Sequence, residues 1–319
     1  MASVAGVGGD LACAADDYWH ELIRLRNARG LVCGTSDSPA GRALEASARR
    51  AAVVAGVPIA VIEDFPGNYY EVPSGSADFL VVESAAVAAL TRRKFGGSCP
   101  QIKALSLARY DPHRRAAPSR RSIRRDKDIG QKGQVSVLWA GQPETPDCLV
   151  TLSILLPLLA ARGIELLFKA HPRDAGYSSG AYRALLANAG IVSHDVTHLS
   201  VEEALLLAPR LVITQFSSAA IEAGFFGIPS LNIVLPDAGG ARLLEKKGYQ
   251  APLHCAEGAA GCVMRSDELA GVLYPLIDDK TARENLIRCF DAYFCTAELM
   301  LPHLSAMIEN LFQNKGFPP

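Results

Sequence analysis

A chain of 319 residues is long for one hydrophobic core and ample for two domains. It is 49% hydrophobic and 20% charged with a formal net charge of −1, so its overall charge does not call for nucleic acid. Aromatic residues make up only 7%, which argues against base-stacking platforms, and no apolar run approaches the roughly 18–20 residues of a membrane span.

After a small, Gly-rich start, Ala14 to Asn27 reads as an amphipathic helix, with Trp19, Leu22, Ile23 and Leu25 among charges. Gly30–Gly34 is a short strand ending in Thr35-Ser36-Asp37-Ser38. Ser38-Pro39 then starts a helix that Gly56-Val57-Pro58 stops. IAVIEDF is the next strand. Asp78-FLVVES, a helix to about Phe95 and QIKALSLARYD repeat the pattern. Strands alternating with helices of this length predict βαβ units and a mostly parallel sheet of about four strands.

Residues 113–132, HRRAAPSRRSIRRDKDIGQK, carry six arginines and two lysines against two aspartates. This composition reads as a solvated interdomain linker. The sharper alternative is a basic patch that touches anionic lipid or an anionic acceptor.

From Val135 the rhythm resumes. VSVLWAG is a strand ending in Gly141, and Pro146 to Arg162 is helical, with Pro157 expected to kink or interrupt it. IELLFKA is a strand, and Tyr182 to Asn188 is a helix. Ser200 and Glu203 form a capping box that opens a helix to Ala208. LVITQ is a strand, Ser218 to Phe226 a helix and SLNIVLP a strand. Short helices follow to the end of the chain. The domain expectation is a small α/β domain over 1–112, a basic linker over 113–134, a second α/β domain over 135–300, and a final helix and tail over 301–319.

The eight cysteines, at 13, 33, 99, 148, 255, 262, 289 and 295, form no CxxC pairs and lack zinc spacing, so they read as reduced core residues. The first twenty residues contain Asp10, Asp16 and Asp17 but no Lys or Arg, which argues against a secretory signal. A cytoplasmic protein is expected, with a peripheral contact to the inner membrane face if the basic segment binds lipid.

Two stretches carry chemistry. In LLFKAHPRD an apolar run gives way to Lys169, His171, Pro172 and Arg173; in LVITQFSSAAIEAGFFGIP a strand delivers Thr214, Gln215, Ser217 and Ser218 to its carboxyl end. Open α/β sheets bind their ligands at that edge. A helix start there offers unsatisfied N–H groups to a phosphate, and two hydroxyls add donors without bulk. Glu222, four residues after Ser218, shares its helical face and suits ribose hydroxyls. Either serine also suits a plain helix cap. His171, flanked by cations, could stabilise negative charge on a leaving phosphate.

The HP dipeptide, followed some forty residues later by the paired serines in an (I/V)T-x-x-SS-x-x-x-E context, resembles the carboxyl-terminal domain of GT-B-fold glycosyltransferases. The resemblance covers about Val135 to Pro236 and is nearest to bacterial sialyltransferases and polysialyltransferases, which use CMP-sialic acid. Capsule Kdo transferases and CDP-glycerol glycerophosphotransferases are similar. It implies two Rossmann-like parallel-sheet domains, GT-B-like, with a ligand cleft between them. It implies too that His171, Ser217 and Ser218 contact the nucleotide phosphate. The glycerophosphotransferases carry an acidic residue where this chain has Gln215. UDP-N-acetylglucosamine 2-epimerases, also of GT-B type, carry a glycine pair after the serine where this chain has Ser218-Ala219.

The implied activity is transfer of a sugar, a nonulosonic acid or Kdo from its CMP derivative, to a surface glycan or lipid-linked acceptor. A CMP-sugar is favoured as donor substrate and a UDP-sugar is the alternative, with no separate cofactor, no metal and no nucleic-acid partner. The nucleotide set is Gly141, Lys169, His171, Pro172, Arg173, Thr214, Gln215, Ser217, Ser218 and Glu222. The base for the acceptor hydroxyl is sought at strand ends of the first domain, in Asp37 or in Glu63-Asp64, with Asn68 and Tyr69 beside the acceptor. Each acid equally suits a cap or turn. A UDP-sugar epimerase or hydrolase of the same fold, and a non-catalytic partner protein, stay open as alternatives.

Overall fold

The computed structural model describes residues 10–36, 38–106, 108–130, 135–294 and 300–313. The chain divides into two compact units, Met1–Asp111 with Leu299–Pro319, and Pro112–Glu298.

The first unit holds a parallel sheet of β1 (Leu31–Cys33), β2 (Ile59–Ile62), β3 (Phe79–Val82) and β4 (Gln101–Ala104), in the order β1-β2-β3-β4. β2 and β3 are buried along almost their whole length, which is why they read as unbroken apolar runs. Helix Pro39–Val54 starts where the sequence places it, with the Ser38 side chain accepting the Gly41 N–H at 3.0 Å. Ser38→Ala is expected to cost about 1 kcal/mol, read as a lower urea midpoint. An unchanged midpoint would mean that this cap stabilises nothing.

No helix lies between β2 and β3. Arg49, buried in helix Pro39–Val54, instead ties down the intervening loop, donating to Gly75 O at 2.8 Å and Tyr70 O at 3.2 Å. Loop carbonyls without a ladder partner are satisfied this way. Helix Met300–Gln313 belongs to the same unit, and its first two N–H groups, Met300 and Leu301, donate to the Asp111 carboxylate at 3.0 and 2.7 Å.

The second unit holds β5 (Ser136–Ala140), β6 (Glu165–Lys169), β7 (Ser193–Asp195), β8 (Leu211–Thr214), β9 (Ser230–Ile233) and β10 (Gly261–Val263). All pairings are parallel, in the order β10-β9-β8-β5-β6-β7. Alternate side chains serve the two faces. Val137, Trp139, Leu166, Phe168 and Ile213 pack with helix Thr145–Ala160, while Leu138, Leu167 and Val212 pack with Ala219, Ala223 and Phe226.

Two expectations change here. Pro157 does not interrupt its helix, which continues to Ala160; the proline lies in the last turn, where few bonds are lost. The basic stretch is a helix, Asp111–Gly130, and three of its arginines turn onto the second unit. Arg114 donates to Phe294 O at 2.9 Å, Arg120 pairs with Glu202 at 2.6 Å, and Arg121 pairs with Asp291 at 2.6 Å. That part is packed structure rather than a solvated connection. Among the described residues, no helix is long and apolar enough to cross a membrane.

Candidate functional site

From β5 the chain steps outward to β6 and β7, then returns to the other side of β5 for β8, β9 and β10. The strand order therefore reverses between β5 and β8. Open α/β sheets take their ligands beyond the carboxyl ends of the strands at such a switch point. Lys169, Ala140, Thr214 and Asn232 form one row across the sheet at that edge. Every loop leaving the row faces the same rim.

Three expected ligand contacts are turned inward instead. Lys169 is buried, and its ammonium donates to Leu199 O and, at 3.3 Å, to Thr197 O. Thr214 donates to Ala140 O at 2.7 Å. Gln215, fully buried, donates to Thr151 Oγ1 at 2.9 Å and Ala238 O at 3.0 Å, while its own carbonyl accepts from Asn232 at 3.0 Å. As placed, these side chains hold the loops together.

His171 is different. Its Nδ1 accepts the Arg173 N–H at 3.1 Å, so the neutral ring carries its proton on Nε2. Partial burial, and then the Arg173 charge, hold its pKa below the ordinary histidine value. The ring is therefore a neutral hydrogen-bond donor around pH 7. Gly141 lies against this turn, donating to Lys169 O at 2.9 Å; a Cβ there would stand 3.4 Å from the His171 backbone nitrogen. Pro172 and Arg173 are exposed beside it.

Ser217 is half-buried and its Oγ accepts the Ala219 N–H at 3.3 Å, whereas Ser218 is exposed and its hydroxyl reaches Glu222 at 3.4 Å. The helix behind them, Ala219–Phe225, has only seven residues and one early N–H already taken. The hydroxyls, more than a macrodipole, are what this loop presents. β5 lies between β6 and β8, so His171 and the serines leave strands about 10 Å apart at ordinary strand spacing, on either side of Gly141.

Four further residues at this rim have no motif in the sequence. Gln142, 7% exposed, has an amide nitrogen with no partner. Arg242 reaches across from the loop after β9 to Glu144 at 2.7 Å and also pairs with Asp147. The signal for that loop was Gly239-Gly240: Gly239 has φ +98°, and a Cβ on Gly240 would meet Leu235 O at 2.7 Å. A separate cavity of about 620 Å³, lined by Phe168, Tyr177, Tyr182, Arg183 and Asp195 among others, shares no residue with this rim.

In the first unit Asp64 is exposed at the end of β2, accepting from Thr35 Oγ1 at 2.5 Å and Asn68 Nδ2 at 2.9 Å. Asp37 lies outside the described residues. Asn68 and Tyr69 are buried, so neither lines an open surface as expected. Glu63 is buried with one carboxylate oxygen accepting from the Tyr69 N–H at 2.8 Å and the other unpartnered; burial pushes its pKa up to about 7.

No family model and no curated protein matches the chain. Solved structures do. MurG of Acinetobacter baumannii superposes with a TM-score of 0.59 at 14% identity, covering 94% of this chain and 78% of that one. A glycosyltransferase of Rickettsia africae gives 0.62 at 13%, covering 98% and 83%. The UDP-GlcNAc 2-epimerase of Neisseria meningitidis, bound to UDP-GlcNAc, gives 0.59 at 10%, covering 98% and 84%. The fold is GT-B. Identities this low establish architecture alone, and none of the comparisons supports the narrower resemblance to sialyltransferases or Kdo transferases. Within the GT-B frame, the second unit's switch point, between Gly141 and Ser217, is the candidate site.

Proposed function

We propose that this protein is a nucleotide-sugar-dependent glycosyltransferase that holds its donor's phosphate at the switch point of the second unit. The observation that carries this is His171, whose Nδ1 is occupied by the Arg173 N–H, leaving Nε2–H as the ring's donor on a turn whose backbone packs against Gly141. With the Ser217 and Ser218 hydroxyls across β5, it would stabilise the charge that develops on the leaving phosphate. Asp64 is the group we assign to take the acceptor's proton as its oxygen attacks the anomeric carbon. Hydrogen bonds from Thr35 and Asn68 fix that carboxylate. A CMP-sugar is our preferred donor, on the paired-serine resemblance, and a glycan or lipid-linked hydroxyl the preferred acceptor.

The second reading, an epimerase or hydrolase acting on a UDP-sugar without acceptor, is favoured by the likeness to UDP-GlcNAc 2-epimerase structures, one of them bound to UDP-GlcNAc. A thermal-shift panel of CMP, CDP, UDP and GDP separates the outcomes. Stabilisation by CMP that disappears in His171→Ala and Ser217→Ala supports the transferase. Stabilisation by UDP alone, with turnover of UDP-GlcNAc in the absence of acceptor, selects the epimerase. Equal shifts in wild type and both variants would remove the site altogether.

A further inference from the structure

Arg242 stands at the start of helix Ala241–Lys247, and its guanidinium is shared by two carboxylates of the β5 loop, Glu144 at 2.7 Å and Asp147. The three side chains are 23%, 36% and 20% exposed, so the cluster sits at the rim rather than in the core. It also borders the serine loop. A Cβ built on Gly239 would lie 3.1 Å from the Phe216 ring, 3.4 Å from Asp147 and 3.6 Å from Arg242 Nη2. Three loops, after β5, β8 and β9, thus meet at one spot, one residue from Ser217.

Lys169, in the motif at the end of β6, donates to two backbone carbonyls on the β7 side. Two carboxylates on one guanidinium leave the cluster with a net negative charge where a phosphate would arrive. Gln142, two residues before Glu144, adds a nine-tenths-buried amide donor with no partner. A guanidinium forms its strongest hydrogen bonds with carboxylate and phosphate alike, through the same planar fork.

We propose that Arg242 is a phosphate-binding residue held in reserve, passing from Glu144 and Asp147 to a phosphate of the nucleotide that binds at this switch point. The exchange gives up two carboxylate contacts for contacts to phosphate and breaks no covalent bond. Glu144 and Asp147, both part-exposed, are left to water. The proposal rests on the reading that the switch point binds a nucleotide.

The test is calorimetric titration of the full chain with CMP and with UDP, in four forms: wild type, Glu144→Gln with Asp147→Asn, Arg242→Gln, and all three substitutions together. Freeing the guanidinium should tighten binding about tenfold, and Arg242→Gln should weaken it about tenfold. The triple variant should bind no better than Arg242→Gln, because the gain passes through the arginine. If the triple variant keeps the gain, removal of nearby negative charge explains it and Arg242 is not a ligand contact. If wild type binds and Arg242→Gln binds equally well, this inference fails while the nucleotide reading stands. If neither wild type nor the charge-neutralised form binds either nucleotide, both fail. Should Arg242→Gln not fold, Arg242→Lys keeps the charge without the fork and is expected to weaken binding severalfold.

Discussion

Asp174→Ala is expected to destabilise the second unit by about 3 kcal/mol, more than any single hydrogen bond in it. Asp174 is the last residue of the HPRD turn and is buried. One carboxylate oxygen accepts from Thr145 Oγ1 and, at 2.9 Å, from the Gly176 N–H; the other accepts from Tyr182 OH. Its own N–H donates to His171 O at 2.9 Å. The side chain therefore ties the β6 loop to the first turn of helix Thr145–Ala160 and to helix Ala181–Asn188. Removing it leaves three donors in a place with little water, each costing about 1–3 kcal/mol before relaxation. Tyr182→Phe, which removes one donor while the carboxylate keeps its other partners, should cost only about 1 kcal/mol. The chain has two tryptophans, so in a Trp19→Phe background the fluorescence of buried Trp139 reports this unit alone during urea unfolding. If Asp174→Ala proves no costlier than Tyr182→Phe, the turn is held by something else.

The second large effect is a pH dependence in the first unit. The Glu63 pKa is raised from 4.5 to about 7, chiefly by burial; the N–H groups of Tyr69 and Gly67 and the charge of Lys94 ease it, and Asp64 adds to it. Below pH 4.5 the group is protonated folded and unfolded, and its contribution to stability is fully present. Between 4.5 and about 7 the unfolded chain ionises first, so that contribution is lost as pH rises. At about 1.4 kcal/mol per pH unit, the span is worth about 3 kcal/mol. Glu63→Gln should flatten this slope: the stability of wild type relative to the variant should fall by about 3 kcal/mol between pH 4.5 and 7.5. Urea unfolding followed by Trp19 in a Trp139→Phe background reads it, and a difference that stays constant with pH would refute it. Glu63 anchors the turn that carries Asp64 and Asn68.

The elements legible in advance share one property: their signal is local. β2, β3, β5, β6 and β8 are mostly apolar runs because both faces are covered. The caps at Ser38 and Ser200 bond the backbone three residues away, within reach of sequence spacing. β7 and β10 were missed. Each is a three-residue strand at a sheet edge, rich in polar residues or glycine, with no room for a period to show. The helix over Asp111–Gly130 was missed because its arginines, charged in sequence, find partners 82 to 180 residues away.

The sequence by itself determined the βα alternation, hence two parallel sheets, and it marked the HP and double-serine turns as strand ends. Those follow from hydrophobic period and backbone chemistry, which act over a few residues. Only the tertiary structure decided which of the marked residues face outward. Lys169 and Gln215 look like ligand contacts in sequence, yet each donates to groups some 23 to 64 residues distant. It also decided that β5, with Gly141 just past its end, separates His171 from Ser217, and that Arg242 closes on Glu144. Strand order and buried polar pairing are set by which elements meet in space, and no spacing along the chain encodes that.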